Sequence, residues 1–291
     1  MLIVRDKFTQ DLTSVCEKGH GLASRLKKIV SVNRLAENPT VFWEPSDIFK
    51  YRELSHYITG LNEVDSYAER DWRDGRWRLA LVDNEVPEGF TNKDAVFEYC
   101  KKQKYPNQYR VSQHYGFDPN GVGIDFEFQR IPEKLKQEYS ALFKGLQFTD
   151  HIVDQVQTFK NKHFDENTVS LHIRSWYDCM WRKPSLFDLQ NYADLISLYP
   201  NSRFFLATDD VRVEKSLVGA FGADRFITLP MEDEYEYHLI NLLLLAENKT
   251  IIGSLLSTYT EVAWWLGGAT ANVKIAYKDD LVQFMDDRYH I

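Results

Sequence analysis

The chain has 291 residues, a formal net charge of -8, 44% hydrophobic residues and 14% aromatic ones. That length is too great for one comfortable core and fits two domains of ordinary size. The acidic balance argues against wholesale nucleic-acid binding, while local basic pockets stay compatible with it. Three cysteines, Cys16, Cys100 and Cys179, are odd in number and lack zinc-ligand spacing, so no disulfide framework or metal site is implied. The N-terminus has no signal-peptide hydrophobic region, and the longest apolar run, residues 242–246, is too short to span a bilayer. These features predict a soluble protein of a reducing compartment, the cytoplasm, with no integral membrane segment.

The first signal is KGHGLASRL, residues 18–26. Gly19 and Gly21 bracket His20, and Leu22, Leu26, Ile29 and Val30 fall on one helical face, with Arg25, Lys27 and Lys28 off it. Ser24 is a possible N-cap. A Gly-bearing loop feeding a helix start can hold an anion, because free N–H groups point outward there; an ordinary loop–helix joint has the same pattern. Residues 40–43, TVFW, read as a strand, 47–57 as a helix, 76–82 as a strand and 94–101 as a helix. Residues 102–123 are polar and rich in Gly and Pro, so they read as loop, and a short strand follows over 126–131. Pro132 opens a helix carrying Leu135, Tyr139 and Leu142 on one face. Another starts near Asp150, with Ile152, Val153, Val156 and Phe159 at helical spacing. A domain boundary is placed here, giving an N-terminal unit 1–145 and a C-terminal unit 146–291.

From residue 168 strands and helices alternate, at 168–173, 186–199, 203–208, 213–221, 226–229, 237–246, 250–252, 261–266 and 273–276. That alternation predicts a parallel, doubly wound α/β sheet. Ligands bind such sheets beyond the carboxyl ends of the strands. Three polar clusters follow strands: His172 with Arg174, then Thr208, Asp209 and Asp210, then Ser254, Ser257 and Thr258. Arg174 is permanently cationic with a fork of donors that suits phosphate. Asp209 and Asp210 can accept from ribose or a base, or cap the next helix. Ser257 and Thr258 precede a helix and can cradle a phosphate or cap it. No P-loop or GxGxxG stretch is present.

KGHGLASRLKKIV, TVSLHIR, RFFLATDD and KTIIGSLLSTYTEVAWW resemble the motifs of the fucosyltransferase superfamily with the GT-B fold, which includes the α-1,6-, α-1,2- and protein O-fucosyltransferases. The resemblance covers most of 18–45 and 145–277. It implies two Rossmann-type domains with parallel sheets facing a central cleft. It also implies an inverting transfer of fucose from GDP-fucose to a glycan or other hydroxyl acceptor, without a metal cofactor. Arg174 would hold the β-phosphate, His172 would line the guanosine site, and Asp209, Asp210, Ser257 and Thr258 would bind donor. Gly21 and Arg25 would approach the donor from the N-terminal unit. Asp178 is the candidate base, with Glu44 and Asp47 as alternatives. A purine with an exocyclic amine suits carboxylates such as Asp209, Asp210 or Glu247, so GDP is expected over UDP and CDP. Ser175 stands where many relatives carry a second Arg, and Ser24 where Asn is common. The alternatives are another nucleotide-sugar enzyme of this architecture, including an epimerase, or a silent nucleotide- or carbohydrate-binding protein.

Overall fold

The computed structural model describes residues 12–18, 21–35, 38–47, 50–66, 133–175, 187–254 and 257–276. The strand expected at 76–82, the helix at 94–101, the loop at 102–123, the strand at 126–131 and Asp178 lie outside these residues.

The N-terminal part is a βαβ unit. Strand β1 (Leu12–Cys16) runs parallel to β2 (Pro39–Trp43), joined by helix α1 (Leu22–Leu35). Sequence patterning did not assign β1, because its inward side chains are Ser14 and Cys16 rather than large apolar ones. Helix α1 also departs from the expected one-sided pattern. Arg25, Lys27 and Lys28 are as buried as Leu26 and Ile29, since α1 is covered both by the β1–β2 pair and by the helices at 133–144 and 258–266.

The helix expected over 47–57 does not form. Lys50 takes a left-handed backbone with φ 55°, costly for a residue with a Cβ. Ser46 and Tyr51 instead exchange backbone hydrogen bonds of 2.9 and 2.8 Å. Only Leu54–His56 closes a 3-10 turn. It leads into β3 (Ile58–Thr59), which pairs antiparallel with β4 (Gln147–Phe148). Helix α2 (Glu133–Lys144) comes before β4, and α3 (Asp150–His163) follows it from Thr149.

The C-terminal part is a five-stranded parallel sheet built from β5 (Val169–Ile173), β6 (Phe204–Thr208), β7 (Phe226–Ile227), β8 (Thr250–Ser254) and β9 (Asn272–Ala276), in the order β7-β6-β5-β8-β9. Helices α4 (Leu189–Ser197), α5 (Val211–Phe221), α6 (Glu234–Leu245) and α7 (Thr258–Leu266) connect them. Period-two alternation sorts the sheet's side chains. Val169, Leu171, Ile173, Phe204 and Leu206 pack under α4 and α5 through Tyr192, Ile196, Val213 and Leu217. Phe205, Ala207, Ile251 and Val273 face the other way, into a core shared with α3, α6, α7 and α1. Strand order reverses direction between β5 and β8, which opens a crevice at their carboxyl ends.

The N-terminal helix is tied into this second layer by a buried ion pair. Lys27 Nζ of α1 lies 2.6 Å from Glu261 Oε2 of α7, both side chains 1% exposed. Trp265 Nε1 donates to the other Glu261 oxygen at 3.3 Å. Lys27 is five residues into α1 and Glu261 three into α7. At 1.5 Å per residue the two helix starts lie about 7 Å and about 5 Å along their axes from that contact. Gly21 and Ser257 thus lie just before helices that are packed together near their first turns.

Candidate donor-binding crevice

Beyond Leu171 and Ile252 the β5–β8 ladder ends, and the Ser254 hydroxyl takes its place. Ser254 Oγ accepts from Arg174 N at 2.7 Å and from the Tyr192 hydroxyl at 2.8 Å, and donates to His172 O at 3.1 Å. Three contacts on one small hydroxyl hold the two strand ends at a fixed separation. Ser254 lies on the strand rather than in the expected loop. Its neighbour Gly253 has to be a glycine, because a Cβ there would sit 2.2 Å from Thr260 Cγ2.

That close approach sets His172. Thr260 Oγ1 accepts from Ser254 N at 3.3 Å and shares a hydrogen bond of 2.8 Å with His172 Nδ1. The His172 ring lies 4.9 Å from that of Tyr259 at 31°. Burial, with Arg174 adding, pushes the imidazole down to about 3. His172 is therefore neutral in the folded protein at any ordinary pH, whereas in the unfolded chain it takes up a proton near 6.5. A depressed folded value means that this contribution is complete above about 6.5 and is lost as the pH falls toward about 3. Urea unfolding between those limits should show His172→Gln losing a slope of about 1.4 kcal/mol per pH unit relative to the parent. An identical slope in the variant would mean that the imidazole is accessible to protons.

Arg174 and Asp209 meet across the ends of β5 and β6. Arg174 Nη1 pairs with Asp209 Oδ2, and Ser175 N donates to Asp209 Oδ1 at 2.8 Å. The side chains are 29% and 20% exposed, so the pair faces the crevice instead of lying in the core. One Asp209 oxygen thus aims the guanidinium while the other holds the end of β5. Asp210 has a different task again. It is the N-cap of α5, accepting from Arg212 N at 2.9 Å and from Arg212 Nε and Nη2 at 2.8 and 2.7 Å. Glu247 lies just past α6 and pairs with Lys160 of α3. Each of the three carboxylates expected to read a purine amine has an intramolecular partner.

Ser257 is the N-cap residue of α7, with extended backbone and no side-chain capping bond, and Thr258 is the first helical residue. An α-helix start leaves backbone N–H groups outside its own ladder, with a partial positive charge. Ser175 Oγ is fully buried and has no partner among the described residues.

The N-terminal unit contributes differently from the expectation. The Arg25 guanidinium is buried between Trp43 and Tyr51, 4.3 and 4.8 Å from their ring centroids. It donates to Glu44 O and Glu17 O, both at 2.8 Å, joining the carboxyl ends of β1 and β2. Its expected place on the donor gives way to this internal stitch. Leu22 N at the start of α1 donates to the Tyr51 hydroxyl at 2.8 Å. Tyr51 in turn lies close enough to Tyr259 to add to the rise that burial imposes on the Tyr259 hydroxyl. Gly21 does not take a left-handed backbone, and among the described residues a Cβ there would meet nothing within 4 Å. Of the alternative bases, Glu44 Oε2 accepts from Lys18 N at 2.9 Å, and Asp47 is exposed.

The solved structure of NodZ alpha-1,6-fucosyltransferase soaked with GDP-fucose is similar to this chain at TM-score 0.52, with 15% identity over 89% of this chain and 92% of that one. A second structure, fucosyltransferase NodZ from Bradyrhizobium, gives 0.51 with 15% identity over 88% and 92%. The chain has a fucosyltransferase-like GT-B fold. POFUT1 in complex with GDP-fucose covers 92% of this chain at 12% identity, but at TM-score 0.49 the likeness is too weak to carry weight. No protein-family model and no curated protein matches the chain. Among the described residues, no helix of this GT-B-like fold is long and apolar enough to cross a membrane.

Proposed function

We propose that the protein is an inverting glycosyltransferase that moves fucose from GDP-fucose to a glycan or other hydroxyl acceptor. The observation that carries this reading is the Arg174–Asp209 pair at the carboxyl edge of a GT-B-like sheet, beside the start of α7. In this reading residues 146–291 form the donor domain and 1–145 the acceptor side, and the protein works in the cytoplasm.

The reaction needs charge stabilisation more than proton transfer. As the bond from fucose C1 to the β-phosphate oxygen breaks, C1 becomes cationic and negative charge grows on the phosphate. A preoriented guanidinium and helix-start N–H groups stabilise that charge where it develops. Arg174 takes this part, held in place by Asp209. Ser257, Thr258 and the first N–H groups of α7 hold the phosphates from the other side. Neutral His172 offers a polar ring without adding charge beside Arg174. Gly21 leaves open the space that a side chain would fill at the start of α1, consistent with donor approaching there. The acceptor hydroxyl attacks C1 from the opposite face and loses its proton to a base, for which Asp178 is the candidate.

The chemistry requires no divalent metal, since Arg174 supplies the positive charge and Asp209 and Asp210 are engaged with arginines. Initial rates of GDP-fucose turnover in excess EDTA should equal those in untreated buffer. A complete loss restored by Mg²⁺ or Mn²⁺ would place a metal at the diphosphate and contradict the role given to Arg174.

A further inference from the structure

A second polar cluster lies where the 3-10 turn meets α3 and α6. His56 Nε2 is 2.8 Å from Glu236 Oε1, and His151 Nε2 is 3.1 Å from the same oxygen. The two imidazole centroids are 4.8 Å apart. The other carboxylate oxygen, Oε2, accepts from Gln155 Nε2 at 2.6 Å, one turn along α3 from His151. Glu236 is 10% exposed in its side chain, His56 27% and His151 44%. The cluster is thus rooted in the protein on the carboxylate side and open on the imidazole side.

Two imidazoles and one oriented carboxylate converging from three elements make a ligand set suited to a borderline divalent ion such as Zn²⁺. We infer that His56, His151 and Glu236 bind one such ion, with water completing the coordination. The three ligand atoms all lie within 4.8 Å of one another. Ligand atoms around one tetrahedral zinc, at about 2.0–2.1 Å each, are about 3.3 Å apart, so the widest separation closes by at most about 1.5 Å. Rotation of two partly exposed imidazoles supplies that. On binding, each Nε2 presents its lone pair to the metal and the ring proton moves to Nδ1. Gln155 keeps the carboxylate oriented as an outer-shell partner. The turn that carries His56 is already fixed to the C-terminal part. Thr149 Oγ1 donates to His56 O at 2.9 Å, and the Tyr57 hydroxyl donates to Tyr235 O at 2.9 Å. An ion here would staple the N-terminal turn to α3 and α6.

The site shares no residue with the Arg174–Asp209 pair and stands or falls independently of the transferase reading. The test is titration of EDTA-stripped protein with Co²⁺, followed by visible absorption, then displacement by Zn²⁺, with Tm read in parallel. The expected result is one ion per chain and a raised Tm on Zn²⁺ addition. His151→Ala, an exposed position that leaves α3 intact, should abolish both responses. Gln155→Ala should weaken affinity about 10- to 100-fold. Turnover at temperatures well below Tm should survive stripping. No uptake at one equivalent, or uptake unchanged in His151→Ala, would show that the three side chains are only a hydrogen-bonded clamp and overturn the inference.

Discussion

Arg174→Ala is expected to lower transfer by about 10² to 10³, equivalent to roughly 3–4 kcal/mol of transition-state stabilisation. The size follows from geometry. The residue after Arg174 is Ser175, fully buried at the end of β5, and the proposal gives the phosphate charge to the single guanidinium of Arg174. Asp209→Asn keeps an acceptor for Ser175 N but removes the charge that aims Arg174. Its loss should be one to two orders of magnitude, roughly the effect of misplacing a catalytic group, and should fall on kcat more than on KM. The pair is partly exposed, so neither substitution should unfold the protein. Steady-state kinetics on folded variants decide the matter. Turnover within a few fold of the parent for Arg174→Ala would make the pair a structural tie between β5 and β6.

The second large effect is on stability. Lys27→Met leaves Glu261 without its counterion in a site where burial already pushes its carboxyl up against the opposing influence of Lys27. Removing one partner of a buried pair costs about 3–5 kcal/mol, which for a chain of this size lowers Tm by roughly 10 °C. The double variant Lys27→Met, Glu261→Met removes both charges and should recover much of that loss, because the desolvation of two ions disappears with them. Scanning calorimetry of the two variants checks this. Because the pair joins α1 to α7, the single variant should also weaken nucleotide binding if Gly21 and Ser257 act on one ligand. A Tm within a degree or two of the parent would mean that the two helices are held by packing alone.

The five-stranded sheet was readable because each strand there is a short β-branched or aromatic run ended by polar residues. Strands 168–173, 203–208 and 273–276 lie within a residue or so of their observed limits. The clustering of His172, Arg174 and Asp209 at one edge also followed from strand ends alone. What escaped depends on contacts distant in sequence. Strand β1 was missed because burial there falls on Ser14 and Cys16. Lys27 looked like a solvated position, and its partner lies 234 residues away. Residues 47–57 have helical periodicity, but one left-handed Lys50 breaks it. Asp209 and Asp210 were read as ligand acceptors or as caps of the next helix; Asp210 is the cap of α5, and Asp209 aims Arg174. Ser254 and Thr260 carried one signal, a glycine at 253 beside them. His56, His151 and Glu236 carried none, being brought together only by the packing of the 3-10 turn against α3 and α6.

The most direct measurement is a thermal-shift series with GDP, GMP, UDP and CDP on the parent and on Arg174→Ala. GDP at about 100 Kd should stabilise the parent by roughly 2.7 kcal/mol before any acceptor is present. The preference for guanine belongs to the proposed function and is tested here directly. GMP should bind more weakly than GDP, since it lacks the β-phosphate assigned to Arg174 and the start of α7, and Arg174→Ala should narrow that gap. A preference for UDP would move the protein to another nucleotide-sugar reaction, and no response to any nucleotide would contradict the glycosyltransferase account itself.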